Sequence, residues 1–377
     1  MRFFTPSKGL IGVDITSTAV KLLELRSCST SGQTKSGQQQ RSPNERYQLD
    51  SHAVQPLREN AVVERRIRDI NEVVTALKRA VEQANPATRK AAVAIPASAT
   101  ISKTLRFPAA LSEDEIEERI AAESDRYIPF PFSDVAFDFQ RLDVQGLAIK
   151  DGVSDAPDED QQEVILVACR QQDVRQLTDI VERAELEPVA VDLTTLAMER
   201  ALAGQYKRSV GEHGIADCVG LVNIGASMSA LHVVRGGRVV YSRETLFGGR
   251  QLTETICEYY RMRVEEAEFA KIHGGLAHDY QAKVLAPFIA TLVQQVRRLL
   301  QLYYAVGGQY DVQQIILAGG SSVIPGLALR IADESGIPVT IANPFQQMRI
   351  NKRLNMEALS KDAPAMLTAS GLAMRVG

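Results

Sequence analysis

Two short stretches, set far apart, constrain this chain more than anything else in it. The first is "GVDITSTAVKLLEL" from Gly12 and the second is "LVNIGASMSALHVV" from Leu221. Each has an apolar strand, then Asp or Asn followed by Ile, then a turn of small hydroxyl or glycine residues, then a second strand. One such hairpin means little, because turns rich in Gly, Ser and Thr close hairpins of every kind. Two copies about 209 positions apart, in separate candidate lobes, predict the two halves of a phosphate clamp.

The chemistry needs these residue types. Small residues at a hairpin tip let backbone N–H groups approach phosphate oxygens closely, and the hydroxyls of Thr16, Ser17, Thr18 and Ser227 can add donors beside Gly225 and Ala226. Lys21, seven residues after Asp14, returns along the second strand and can point its ammonium at a phosphate; the alternative is a solvated strand lysine. The Asp14 carboxylate at the head of the turn can hold magnesium directly or through its waters.

Three further segments fit a nucleotide. In "ILAGGSSVIPGL" a buried strand feeds Gly319, Gly320 and Ser321, and a helix follows at about Pro325; glycines there let a flat base or ribose pack against backbone. An ordinary β-to-α turn would read the same. In "LFGGRQLTETI", Gly248 and Gly249 lead into a helix N-terminus. In "EEAEFAKI", Glu268 and Lys271 stand three apart on one helical face, which also describes a surface ion pair.

Composition narrows the rest. A chain of 377 residues, 45% apolar and 24% charged, can build two lobes with sizeable cores. A net charge of −3 gives no electrostatic footprint for nucleic acid. Cys28, Cys169, Cys218 and Cys257 lack C-x-x-C spacing and read as reduced thiols of a cytosolic chain. The five histidines form no H-E-x-x-H pattern. The opening "MRFFTPSKGLIGVD" lacks a secretory apolar region, and no apolar run approaches the ~18 residues that span a bilayer. Any membrane role is therefore expected through a partner.

Along the chain, Ser27 to Glu45 is a polar low-complexity insertion, and Ile67 to Ala84 carries a helical apolar face. "AAVAIP", "TISKTLRFP", "VAFDFQRL" and "EVILVACR" read as strands, with the acidic loop "GVSDAPDEDQQ" before the last. Ser112 and Glu115 fit a capping box, and a helix is expected from Asp173 to Leu186. Residues 91–186 thus read as a small α+β module. Its "DRYIPFPF" is either loop-to-core packing or a rigid apolar wall for a partner peptide beside a free strand edge. Asp192, ending "VAVD", is either a helix cap or a group that positions water near the phosphates. Later helices are expected near Arg250–Met262, Val264–Ile272 and Tyr280–Val306, the last kinked by Pro287.

In order and residue types these segments resemble the actin/Hsp70/sugar-kinase ATPase superfamily. Within it, "LIGVDITSTAVKLLEL", "DRYIPFPFSDVAFDF", "VVYSRETLFGGRQLTETI", "ILAGGSSVIPGL" and the terminal "GLAMR" are most similar to the PilM family of type IV pilus assembly, relatives of the division protein FtsA. The resemblance implies an α/β, actin-like two-lobed ATPase fold of duplicated ribonuclease-H-like lobes, with a small α+β subdomain inserted as in FtsA. It implies a first lobe at 1–90, completed by 187–210 and 350–377. The insert is then 91–186, and the second lobe 211–349, with a helical subdomain at about 250–282. It implies ATP and Mg2+ as ligands. Asp14 (also the metal ligand), Thr16, Ser17, Thr18 and Lys21 fall in the first phosphate loop, and Asn223, Gly225, Ala226 and Ser227 in the second. Gly248 and Gly249 start the phosphate-side helix, Glu268 and Lys271 lie near ribose and base, and Gly319, Gly320 and Ser321 form the adenosine turn.

The implied partners are the N-terminal cytoplasmic peptide of a PilN-like inner-membrane protein and other pilus platform proteins. A homo-oligomer stays open, and neither nucleic acid nor direct membrane insertion is implied. The chain would then be cytoplasmic, held at the inner membrane through its partner. The superfamily's second hairpin usually begins with aspartate, whereas this one begins with Asn223. A neutral amide cannot act as a general base and attracts magnesium less, so slow or absent hydrolysis is expected. The alternatives are an FtsA-like filament-forming division protein, disfavoured by the lack of a basic amphipathic tail after "GLAMRVG", and a small-molecule kinase, for which no catalytic carboxylate stands out in the first lobe.

Overall fold

The computed structural model describes residues 9–28, 47–141, 161–206, 218–308 and 310–375. The polar insertion lies outside the described residues from position 29 onward, and so does the acidic loop up to position 160.

The first hairpin is β1 (Leu10–Ile15) and β2 (Ala19–Ser27). Ile11, Val13, Val20, Leu22, Leu23 and Leu25 are all fully buried, so both faces of these strands are covered, which places them in the middle of a sheet between helical layers. β3 (Tyr47–Pro56) continues the antiparallel meander. A short ribbon of β4 (Val62–Val63) and β5 (Arg66–Ile67) follows, then α1 (Ile70–Ala84). Ile67 is therefore not on the helical face to which its spacing assigned it. Asp69 ends the extended segment and caps α1, its carboxylate accepting the Glu72 N–H at 3.0 Å. β6 (Lys90–Ile95) runs parallel to β1.

The chain then leaves this sheet through β7 (Thr100–Pro108), α2 (Glu113–Ala122), α3 (Ser124–Tyr127), β8 (Val135–Arg141) and β9 (Gln161–Arg170). These strands form a separate antiparallel sheet in the order β7-β9-β8. Its own small core joins Leu105, Phe107, Val164 and Leu166 to Ile116 and Ile120 of α2. The Ser112–Glu115 capping box opens α2 as the spacing predicts.

The chain returns as α4 (Gln171–Arg183) and β10 (Glu187–Leu193), and β10 pairs in parallel with β6. The expected 91–186 module is thus narrower in the structure. β6 is a central strand of the first sheet, and Leu177, Ile180 and Val181 of α4 pack into the same core as α1. Only the stretch from β7 to β9 builds the separate sheet.

After α5 (Thr194–Tyr206) come β11 (Cys218–Ile224), β12 (Ser229–Arg235) and β13 (Arg238–Thr245), then α6 (Gly249–Tyr260) and α7 (Val264–His273). A π-turn at Gln281–Leu285 leads into α8 (Ala286–Ala305), with Pro287 in its first turn. The irregularity predicted at Pro287 therefore falls just before it, where the ring crowds the preceding turn and offers no N–H. β14 (Gln314–Ala318), α9 (Leu327–Ser335) and β15 (Val339–Ile341) complete the second sheet. β16 (Arg349–Ile350), α10 (Met356–Asp362) and α11 (Leu367–Ala373) go back to the first, where β16 pairs with β3.

The two sheets repeat one plan. The first contains the order β10-β6-β1-β2-β3, and the second is β15-β14-β11-β12-β13. In each, three antiparallel strands are followed on the other side of the first strand by two parallel ones. This is the duplication expected of an actin-like two-lobed fold. Asp14 and Asn223 are each the penultimate residue of the corresponding strand, β1 and β11.

Between the sheets, α5 gives Met198, Ala201 and Leu202 to a cluster with Val219, Leu221 and Val234 of the second sheet. α11 crosses β1 so closely that a Cβ on Gly12 would lie 1.9 Å from the Ala369 carbonyl oxygen. Glycine at position 12 is what lets the helix lie against the strand that carries Asp14.

Candidate nucleotide site

The turn of the first hairpin is closed by Thr16. Its N–H and its hydroxyl both donate to the Ala19 carbonyl, at 2.9 and 2.8 Å, and its oxygen accepts the Ala19 N–H at 3.2 Å. The Thr16 side chain therefore shapes the turn rather than standing free as a donor. Ser17 and Thr18 form the tip. Behind them Asp14 faces Lys21 across the strand pair, with Nζ 3.2 Å from Oδ2 and side chains only 10% and 12% exposed. Lys21 is a lysine paired at the mouth of the turn, not a solvated one. A pair this sheltered keeps both charges in place, and the remaining carboxylate and ammonium valences can serve a ligand.

The second hairpin is braced from two sides. The Gly225 N–H donates to the Met228 carbonyl at 2.9 Å and closes the tip. The Gly225 carbonyl accepts from the Gly249 N–H at 3.0 Å and from the Ser321 hydroxyl at 3.1 Å. The Ala226 carbonyl accepts the Arg250 N–H at 2.7 Å, and the Ile224 carbonyl accepts the Ser321 N–H at 3.1 Å. The Gly248 N–H is taken by the Gln251 side chain at 2.8 Å. The first N–H groups at the start of α6 are thus spent on holding the hairpin tip. Their glycines are needed for contact: a Cβ on Gly248 would sit 2.5 Å from the Gly225 oxygen, and one on Gly249 would sit 2.2 Å from the Ser321 hydroxyl.

The Gly319–Gly320–Ser321 turn leaves β14 directly beside the Asn223 end of β11. Gly319 has φ +89°, and its Cβ position is 2.3 Å from the Ile224 oxygen and 2.6 Å from Asn223 Oδ1. The face of Gly320 has nothing within 4 Å. One glycine is therefore fitted against the hairpin, and the other leaves room for a flat group.

Glu268 and Lys271 form an ion pair at 2.7 Å. The third member is Thr253, which no spacing in the sequence marks, one turn along α6 from Gly249. Its hydroxyl donates to Glu268 Oε1 at 2.5 Å and accepts from Lys271 Nζ at 2.7 Å. The pair therefore clips α7 to the helix that braces the second hairpin. The two hairpins also meet, the Ser227 hydroxyl lying 3.4 Å from that of Ser17. So 210 residues of separation collapse to one contact between the tips.

Asp192 does not position water. It is buried, and one oxygen accepts the Leu193 N–H at 2.7 Å. The other receives the Arg200 guanidinium and Arg375 Nη1, the latter at 3.1 Å. Arg200 also donates to the Gly371 carbonyl at 2.9 Å. The carboxylate fastens β10, α5 and the terminal "GLAMR" together, with Arg375 as the partner no local spacing reveals. Asp192→Asn is expected to lower stability by about 1–2 kcal/mol, read as a lower thermal midpoint, with Mg-ATP affinity unchanged. An affinity loss at equal stability would return Asp192 to the site.

In "DRYIPFPF", Ile128 is buried and the Tyr127 hydroxyl donates to Glu123 at 2.7 Å. Phe130 lies under the Arg170 guanidinium, and Phe132, 37% exposed, packs on Phe137 of β8 with centroids 5.4 Å apart. Within its sheet β8 has a strand on one side only. Among the described residues, no three His, Cys, Asp or Glu side chains gather as a metal site, and no helix is long and apolar enough to cross a membrane.

Comparison with known proteins agrees with this geometry. The profile of the type IV pilus assembly protein PilM family matches residues 12–377. The solved PilM-PilN type IV pilus biogenesis complex superposes with a TM-score of 0.73 at 26% identity, covering 98% of this chain and 99% of that one. The ethanolamine utilization protein EutJ of Carboxydothermus hydrogenoformans shares the fold, with a TM-score of 0.53 at 15% identity over 98% and 90% of the two chains. In sequence, EutJ of Escherichia coli (strain K12) is 27% identical over 113 residues, which is 30% of this chain and only 37% of that relative's length. With a profile match that runs from the first hairpin to the last residue, the chain belongs to the PilM family of type IV pilus assembly proteins and has their actin-like fold.

Proposed function

We propose that the chain is an ATP-binding adaptor of the type IV pilus assembly platform, which takes magnesium nucleotide between its two hairpins and binds the N-terminal tail of a PilN-like membrane protein. The observation that carries the nucleotide half is the meeting of the hairpin tips at Ser17 and Ser227, with the buried Asp14–Lys21 pair just behind them. In this reading Asp14 holds Mg2+, and Lys21 and the backbone N–H groups of Ser17, Thr18 and Ser227 face the phosphates. Gly320 admits the base or ribose at its open face, and Glu268 and Lys271 hold α6 and α7 beside it. Bound nucleotide supplies negative charge that both hairpins share. Closure is favoured to the extent that these groups bind it better together than apart. Asn223 offers no basic group, so the site is built for binding more than for turnover.

The partner half is supported by family membership and by the relative solved as a PilM-PilN complex. The one-sided edge of β8 and the exposed Phe132 offer a strand register and an apolar contact for an extended peptide. Through such a peptide the chain would sit at the inner membrane without inserting. The test is calorimetric titration of the full chain with Mg-ATP, then with a PilN-like N-terminal peptide, each with and without the other. Tight binding of both, with affinities that depend on each other, is expected. ADP production that depends on a small-molecule substrate would instead favour a kinase.

A further inference from the structure

Between β3 and α1 the ribbon β4–β5 turns at Glu64 and Arg65, with φ of +48° and +62°. Val63 pairs with Arg66 across it, so this is a two-residue hairpin turn with both central residues left-handed. Such turns favour Asn-Gly, because in the left-handed region a Cβ crowds the following carbonyl oxygen, a cost that glycine lacks and asparagine offsets with local hydrogen bonds. A Glu-Arg pair in that place calls for a use of the side chain that offsets the strain.

Arg65 has one. Its guanidinium leaves the first lobe and lies 2.7 Å from Glu244 Oε1 on β13 of the second, with side chains 24% and 17% exposed. It is near enough to the buried His232 of β12 that, after burial itself, the Arg65 charge helps hold that imidazole down at about 4. Six residues earlier, Glu59 lies 3.8 Å from Arg250, whose backbone N–H is bonded to the tip of the second hairpin. Two residues before that, the Leu57 N–H donates to the Thr18 carbonyl at the tip of the first hairpin, at 2.9 Å. The segment is anchored on its own lobe by the buried Ala61 and Val62, and Ala61 accepts the Arg68 N–H at 2.8 Å.

We propose that residues 57–68 form an interlobe strap, seated on the first hairpin tip at Leu57 and latched to the second lobe by Arg65–Glu244 and Glu59–Arg250, which holds the lobes together. The strap touches the first tip directly and reaches the second through Arg250, so displacement of either tip loads the latch. An exposed ion pair would contribute little. Arg65–Glu244 is sheltered and sits on a turn whose conformation works against its residues, so it carries the latch; Glu59–Arg250, with Glu59 57% exposed, adds direction more than strength.

The experiment reads the distance between lobes in the nucleotide-free full chain, so that its result is independent of ATP binding. Spin labels at Lys78→Cys on α1 and Gln301→Cys on α8, with Cys28 and Cys257 replaced by serine, report that distance by electron–electron double resonance. Arg65→Gly relieves the positive-φ cost while deleting the guanidinium. It is expected to keep or raise the thermal midpoint yet shift the distribution to longer distances. Glu244→Arg should open the lobes as well, and Arg65→Glu combined with Glu244→Arg should restore the parent distribution. Unchanged distances in Arg65→Gly and Glu244→Arg, or a combined variant no more closed than Glu244→Arg, would overturn the strap.

Discussion

Gly319→Val is expected to cost on the order of 3 kcal/mol of stability and to abolish nucleotide binding, while Gly320→Val leaves stability near the parent value. The two glycines are neighbours in sequence and opposite in environment. Gly319 has φ +89°, where a β-branched residue is strained in any surroundings. Its Cβ would also press on the Ile224 carbonyl and the Asn223 side chain, and neither is the loose end of a flexible chain. The same residue donates its N–H to the Pro364 carbonyl at 2.8 Å, so the backbone cannot retreat without losing that bond. Relief would require β14 and β11 to part, and with them the turn and the second hairpin. At Gly320 a side chain meets nothing, so the fold tolerates it. If a base or ribose lies on that face, Gly320→Val weakens nucleotide binding without a change in melting. Equal melting of both variants would mean that the turn is not fitted to the hairpin. Normal ATP affinity in Gly320→Val would move the nucleotide off that face.

How much of this was legible beforehand follows from the range of each contact. The hairpins could be read because strand, turn and strand are contiguous, from Leu10 to Ser27 and from Cys218 to Arg235, and small residues mark the tip. Their duplication could be read because the same local pattern recurs. The boundary of the inserted sheet could not. "AAVAI" of β6 reads as a buried strand in either sheet, and only its pairing with β1 and β10 decides. The helical face through Ile67 has the right phase, but Asp69 stops it, since a capped N-terminus outweighs one apolar residue in register. For Asp192 the sequence offers a helix cap or a water-positioning group and not its actual partners, because a carboxylate ending a strand looks the same whether it faces water or two guanidiniums. Arg375, which decides the matter, comes 183 residues later. The strap lay hidden for the same reason, because nothing around Arg65 names Glu244 as its partner.

Asp14→Asn should lower magnesium-dependent ATP affinity by about a hundredfold, or about 2.7 kcal/mol, with far less effect on binding without the metal. The substitution keeps shape and removes charge. It leaves Lys21 unpaired in a sheltered place, so binding of metal-free ATP should hold steady or rise as the free ammonium turns to phosphate. Equal losses with and without magnesium would mean that Asp14 serves the fold and not the metal. The equivalent position in the second lobe tests the converse. Asn223 stands opposite Ala230, whereas Asp14 stands opposite Lys21, so the second hairpin has no cation across the strand pair to balance a carboxylate. Asn223→Asp therefore introduces an uncompensated charge beside Gly319, which magnesium nucleotide is best placed to neutralise. The variant is expected to fold, to gain more in thermal midpoint from Mg-ATP than the parent does, and to hydrolyse ATP faster, because a group able to accept a proton from water would then stand at the end of β11 beside Gly319. General bases typically contribute about 10²- to 10⁴-fold, so even a poorly placed one should register against the parent's own rate. If the stabilisation by Mg-ATP grows but hydrolysis does not, the amide is tuning metal affinity, and what limits turnover is the absence of a positioned water. If neither changes, Asn223 lies outside the phosphate site and the second hairpin contributes backbone alone.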